Sequence, residues 1–394
     1  MTQLNSRQIL RPQVRFNNNN WVNGLIFIIA MWLLSRLVIV IMMQLVAPSS
    51  PPLPLRFYTN PIPFGYTPGS VPKMGWELFA NWDGAWYRKI ATLGYDYAKY
   101  VPLHSLHSIA FFPLFPLLMR GLMSLGIPVE IAGVLVNNAA FLGTLLLVYR
   151  WVEERYETNT ARWATAVLAW CPYSLYGSVV YTEGLFLFVT TASMQAFEKG
   201  HYAWAALWGA MATATRVTGV ALVPTYLLLA WRERRPFTAY VVGLLTGGGL
   251  LLFIIYCTVS FGDPFAFVHV QRGWRQTVGG FDLSSWLKIA VTGLTFGSEF
   301  IKVIMIFGGG YLLWRLRHKL SSVLVIYGFC SLGLILSTGS SMSVDRFAYA
   351  IVSLPIALGV LLAHYPRWGY LLMGYFAILL ANFALRFARW LWVA

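Results

Sequence analysis

About eleven stretches of this chain are apolar over close to 20 consecutive residues, the length a helix needs to cross the hydrocarbon core of a bilayer. Backbone N–H and C=O groups in hydrocarbon find no water, so they must be satisfied within helices or closed barrels. The short alternating strands of a barrel are absent. The expected fold class is therefore an all-α polytopic membrane protein. Composition agrees. Charged residues make up 11% of the chain, against about 25% in a soluble domain, too few to cover a water-facing surface.

The formal net charge is +15. In a soluble protein that would suggest nucleic acid. Here the basic residues sit in short clusters between apolar runs, which is a topology signal, and no soluble aromatic–basic module accompanies them. Arg7, Arg11 and Arg15 precede the first run, Trp21 to Val46, so the N-terminus is expected in the cytoplasm. That run is longer than a signal-peptide core and has no small-residue cleavage site. Cys171, Cys257 and Cys330 all lie in apolar runs, with no spacing for a metal or a disulfide framework. Residues 1–394 read as one membrane domain, with residues 47–126 as a first external loop carrying interfacial helices.

Spans then alternate along the chain. The stretch from Ala203 to Arg235 is the exception. As one helix of roughly 30 residues it would be about 45 Å long and would put Lys199 and the Arg232/Arg234/Arg235 cluster on opposite sides. A hairpin breaking between Arg216 and Gly219 keeps both clusters inside. The last span leaves Arg386 and Arg389 outside, against the charge rule.

This topology uses basic residues and span lengths only. It nevertheless places Asp83, Glu183, Arg216, the loop Gln271–Arg275 and Asp345-Arg346 on one, external, side. Ionisable groups near membrane depth are costly and are usually paired or functional. Asp83, in NWDGAWY, is either a helix cap or a general base that takes a proton from an acceptor hydroxyl. Trp86 and Tyr87 fit an interfacial belt or sugar stacking. Glu183, in YTEGLFLF, either complements a helix dipole or lines a cavity behind the Pro172 break. Arg216, in TATRVTG, either pairs with Glu183 or a backbone carbonyl, or clamps a phosphate with its planar fork. Gln271, Arg272, Trp274 and Arg275 form an external basic–aromatic loop suited to an anionic ligand. Asp345 and Arg346 read as a local ion pair, and Arg36 faces another helix. No HExxH, DxD or Cys/His cluster and no phosphate-binding glycine loop is present. Nucleotide-sugar chemistry therefore has no home, whereas a lipid-borne activated substrate does.

The segments WDGAWYRKIATLGY, AFFPLFPLL, PYSLYGSVVYTEGLFLF, RVTG, GDPFAFVHVQRGW and MSVDRFAYAIVSLP follow in that order over roughly residues 76 to 360. This series resembles the PIG-V family, of the GPI mannosyltransferase 2 type, within the GT-C superfamily of integral-membrane glycosyltransferases. The resemblance implies a GT-C fold and an inverting transferase. The enzyme would move a hexose, mannose by family, from a polyprenyl-phosphate donor to a lipid or glycan acceptor on the external face of a bacterial inner membrane. It implies Asp83 and Glu183 as catalytic. Trp82, Tyr87, Arg216, Gln271, Arg272, Trp274, Arg275 and Arg346 would bind substrate. The lipid-phosphate sugar serves as co-substrate, with no cofactor or metal and no nucleic-acid partner. At 344–347 the chain reads VDRF where that family's pattern has an apolar–Pro–Arg–Tyr order. A transporter or flippase of lipid-linked sugars is the competing expectation, and a structural membrane subunit a third.

Overall fold

The computed structural model describes residues 18–51, 71–98, 106–271, 299–337 and 343–393, with residues 284, 286 and 291. Every regular element among them is helical. The first helix, α1 (Asn18–Ile41), runs on through a π turn at Met42–Val46. α2 (Asp83–Leu93) and α3 (Leu114–Met123) follow. A bundle then forms from α4 (Val129–Arg155), α5 (Thr158–Trp170), α6 (Glu183–Glu198), α7 (Tyr202–Thr215) and α8 (Leu222–Arg232). α9 (Phe237–Leu245) and α10 (Gly248–Phe261) meet at a 40° bend. α11 (Gly309–Arg315), α12 (Ser322–Ser337), the short α13 (Val344–Tyr349), α14 (Ser353–His364) and α15 (Pro366–Ala388) complete the chain.

By length and composition three described helices can cross a membrane: Trp21–Ser49, Val129–Arg155 and Pro366–Ala388. The bent α9–α10 pair would be a fourth. The other apolar helices, Leu114–Met123, Val217–Arg232, Ser322–Ser337 and Ser353–His364, are shorter. The break inside the long stretch before Arg235 falls where the charges require it. α7 ends at Thr215, Arg216 is extended, a 3₁₀ turn covers Val217–Ala221, and α8 begins at Leu222.

α4 packs on α5 and α6, α6 on α7, and α5 on α14. The last contact is close. A Cβ on Gly359 would lie 2.5 Å from the Ala164 backbone nitrogen, so only glycine allows this approach, as small residues do at helix interfaces in lipid. Many outward-facing positions of α1 and α15 are apolar and exposed, among them Val22, Ile26, Leu33, Leu371 and Ile378. This is the surface of a chain solvated by lipid rather than by water.

One end of the bundle collects basic residues on facing helices. Arg155 meets Glu198 at 2.6 Å and Lys199 meets Glu154 at 2.9 Å. Arg235 donates to the Phe197 carbonyl at 2.6 Å, and the Lys319 carbonyl accepts from Tyr156. The other end carries α2 and α3. Arg120 of α3 donates to the Ile90 and Ala91 carbonyls at 3.0 and 2.9 Å, closing the C-terminus of α2 with a cation where the helix dipole favours one.

Candidate active site

Asp83 is the first residue of α2, but its side chain does not cap that helix. Its Oδ2 instead accepts from Arg346 Nη1 at 2.7 Å. Arg346 also places Nε 3.4 Å from Glu183 Oε1. The same Glu183 oxygen lies 2.5 Å from Arg216 Nη1. The four residues form a chain of alternating charge, Asp83–Arg346–Glu183–Arg216, contributed by α2, α13, the start of α6 and the break between α7 and α8.

The exposures along this chain differ. Glu183 is 1% exposed and the Asp83 side chain 25%. Glu183 Oε2 is buried with no hydrogen-bond partner. Such an acid is stable only because two guanidinium groups share its other oxygen. Aromatic rings enclose both cations. Arg346 lies over Tyr176, Tyr181 and Phe347 at 5.2–5.3 Å, and Arg216 over Phe186 and Phe347 at 5.7 and 4.9 Å. Cation–π contact in a desolvated site adds to the ion pairs.

The backbone around this cluster is shaped for it. Gly184 follows Glu183, and a Cβ there would lie 2.5 Å from both the Asn137 carbonyl and its Oδ1. Asn137 Oδ1 accepts the Gly184 N–H at 2.9 Å, and its amide donates to the Tyr176 and Val179 carbonyls at 2.7 Å. One buried asparagine thereby ties the irregular 171–182 segment to the start of α6. Trp82 has φ +55° and Ser343 φ +56°. Each immediately precedes a helix that brings a charge to the site. Positive φ is unfavourable for a bulky residue and concentrates at functional sites.

Three sequence expectations land differently from the way they were drawn. Asp345 and Arg346 do not pair through their side chains. Asp345 Oδ2 accepts from Tyr173 Oη at 2.5 Å and its Oδ1 accepts the Arg346 backbone N–H, since neighbours on a helix point apart. Tyr87 is buried, edge-on against Phe111 and Phe115, so its ring packs the α2–α3 interface. Trp82 is held between Trp390 and Trp392. Arg36 packs on Phe141 and donates to Ser174 Oγ at 3.0 Å, so it braces the 172–177 turn.

Gln271 is half-buried just past the Ala266–His269 turn. Arg272, Trp274 and Arg275 lie outside the described residues. Earlier in the same segment, Asp263 accepts from Tyr97 Oη and contacts His269 Nδ1 at 2.8 Å. Burial pushes the Asp263 carboxyl up, but hydrogen bonds from Tyr97, His269 and the Phe265 N–H outweigh it and hold the carboxyl below its ordinary value. No group of three or more His, Cys, Asp or Glu is placed to hold a metal ion among the described residues.

Sequence reasoning missed Tyr173, Tyr181 and Asn81. Tyr181 accepts the Asp83 N–H at 3.1 Å. Asn81 donates to the Phe387 and Ala388 carbonyls. The only signal for Asn81 was its place two residues before Asp83.

Residues 22–232, more than half of the chain, match the family model described as mannosyltransferase (PIG-V). The chain belongs to the PIG-V mannosyltransferase family. That match spans Asp83, Glu183 and Arg216, while Arg346 and α15 lie beyond it. Among solved structures, this PIG-V chain resembles ArnT from Cupriavidus metallidurans bound to undecaprenyl phosphate. The TM-score is 0.54 and the identity 15%, over 91% of this chain and 63% of ArnT. The apo state of the same ArnT gives a TM-score of 0.53 and 14% identity, over 91% and 62%. At these identities the likeness is one of fold alone, an all-helical architecture like that of ArnT. The chain spans less than two thirds of ArnT's length. No curated protein sequence matches the chain.

Proposed function

We propose that this PIG-V family member is an inverting, polyprenyl-phosphate-dependent hexosyltransferase, with mannose as the sugar its family suggests. It would act on a lipid or glycan acceptor at the external face of the membrane, with about eleven spans. The observation that carries the reading is the Asp83–Arg346–Glu183–Arg216 chain, in which the more exposed end is a carboxylate and the interior carries two arginines. Two guanidinium groups within an aromatic enclosure suit a phosphate leaving group on a lipid, since the planar fork matches phosphate oxygens. The ArnT structure of like fold is described as bound to undecaprenyl phosphate, a carrier of that chemistry.

Asp83 is the base. It takes the proton of an acceptor hydroxyl while the hydroxyl oxygen forms a bond to C1 of the sugar. The bond from C1 to the phosphate oxygen breaks, and the lipid phosphate leaves with the bonding electrons. Attack opposite the leaving group inverts C1. Glu183 is buried and shared by two cations, so it positions Arg216 and Arg346 rather than moving a proton. This revises the catalytic role first expected of it.

Asp83 is paired with Arg346 at 2.7 Å. A donor phosphate competes for that guanidinium, and its arrival releases the carboxylate to accept a proton. The donor therefore binds before the acceptor. The basic residues at the far end of the bundle support a cytoplasmic N-terminus and an external site. The test is transfer of labelled mannose from synthetic polyprenyl-phosphate mannose in membranes carrying the chain, wild type beside Asp83→Asn. Transfer by wild type alone is expected. Transfer by neither, across a panel of membrane acceptors, would favour a flippase of lipid-linked sugars.

A further inference from the structure

The C-terminal residues after α15 lie beyond the family match, yet they close on the turn that presents Asp83. Trp390 and Trp392 pack on Trp82 with ring centroids 5.6 and 5.4 Å away, the second edge-on. Asn81 Nδ2 donates to the Phe387 and Ala388 carbonyls at 3.0 and 3.3 Å. These are among the last carbonyls of α15, which have no partner within their own helix. Phe387 in turn packs on Tyr181, whose hydroxyl accepts the Asp83 N–H. The two residues before Asp83 are thus both held by the end of the chain.

The conformation explains what this contact accomplishes. Trp82 sits at φ +55° and Trp390 at φ +56°. A bulky side chain at positive φ is strained and persists only where its surroundings impose it. The Trp82 indole N–H is buried with no hydrogen-bond partner. Ring packing from Trp390 and Trp392, with the Asn81 bonds, is therefore what holds the residue.

The same contact accounts for two basic residues on the side where the charge rule disfavours them. Arg389 donates to the Pro51 carbonyl, and Arg386 donates to the Trp392 carbonyl at 2.7 Å. Both guanidinium groups serve backbone oxygens. One ties the C-terminus to the exit of the first span, and the other folds the Trp390–Trp392 segment back on α15.

We infer that the Trp390–Trp392 segment is a clamp that positions Asp83 for proton transfer, with Trp390, Trp392 and Asn81 as positioning residues that touch neither donor nor acceptor. The positioning role rests on Asp83 being the base, whereas the clamp itself does not. Removing it frees the Trp82–Asp83 turn, lowers turnover and leaves donor binding in place, because Arg216 and Glu183 are held elsewhere.

The test uses the full chain in detergent and in membranes, with Trp390→Ala, Trp390→Phe and a chain ending at Ala388. Hydrogen exchange of the peptide covering residues 81–88 should rise at least tenfold in Trp390→Ala and in the shortened chain, while α6 stays protected. Mannose transfer should fall tenfold or more in kcat with donor KM within twofold, and Trp390→Phe should recover to within threefold. Unchanged exchange at 81–88, or an equal rise in α6, would overturn the clamp. A raised donor KM with normal kcat would overturn the positioning role. If wild type transfers no mannose, the proposed activity falls and the exchange result still decides the clamp.

Discussion

Asp83 and Arg346 lie 263 residues apart in the chain and meet at 2.7 Å. Arg346 continues to Glu183, and Glu183 to Arg216. In the proposed mechanism the Asp83–Arg346 pair is the resting state of the base, with the guanidinium that a donor phosphate would compete for already engaged.

Asp83→Asn should abolish transfer, by about 10²–10⁴-fold for loss of a positioned base. It should also free Arg346 from its anionic partner. Undecaprenyl phosphate is then expected to bind the variant at least as tightly as wild type, measured by native mass spectrometry in detergent. Weaker binding would mean that the carboxylate does not compete with phosphate.

Arg216→Met removes one of two cations from a carboxylate that is 1% exposed. Breaking a buried pair by deleting one partner costs about 3–5 kcal/mol. The variant should lose thermal stability as well as lipid-phosphate affinity. Glu183→Gln should behave differently. It should keep measurable transfer with a lowered melting temperature, because its Oε1 faces two arginines and the proposed mechanism gives it no proton to carry.

Gly184→Ala is expected to be severe for its size. A methyl group there meets the Asn137 backbone and side-chain oxygens at 2.5 Å. Overpacking of this kind costs about 1–3 kcal/mol, and relief would have to move the start of α6 and with it Glu183. Both melting temperature and transfer should fall together.

Asp263 predicts an acid response away from the charge chain. Its carboxyl is held low in the folded chain. The stabilisation it gives is complete above the ordinary carboxylate value of about 4 and is lost as pH falls through the lower folded value. Hydrogen exchange of residues 261–271 should therefore rise below about pH 4. In Asp263→Asn it should already be raised at neutral pH and change little with acid.

Much of the site was legible in the sequence because charge is scarce there. With 14 acidic residues in 394, an Asp and a Glu that fall on one side with a mid-span Arg carry information, and the break near Arg216 followed from helix length together with the basic clusters at Lys199 and Arg232/Arg234/Arg235. Arg346's partner was not legible. Sequence neighbours invite pairing, but adjacent helical positions diverge, so Arg346 reached Asp83 and Asp345 turned to Tyr173. Arg386 and Arg389 looked like exceptions to a topology rule because their carbonyl partners, at Trp392 and Pro51, carry no side-chain signature. Tyr87 fitted a sugar platform by type, and only packing against Phe111 and Phe115 assigns it to the core.

The most direct measurement is mannose transfer from polyprenyl-phosphate mannose by wild type and Asp83→Asn, with undecaprenyl phosphate binding measured on the same two proteins. The account predicts transfer by wild type only, and lipid-phosphate binding by both. Full transfer by Asp83→Asn would contradict it, because the base would then lie elsewhere.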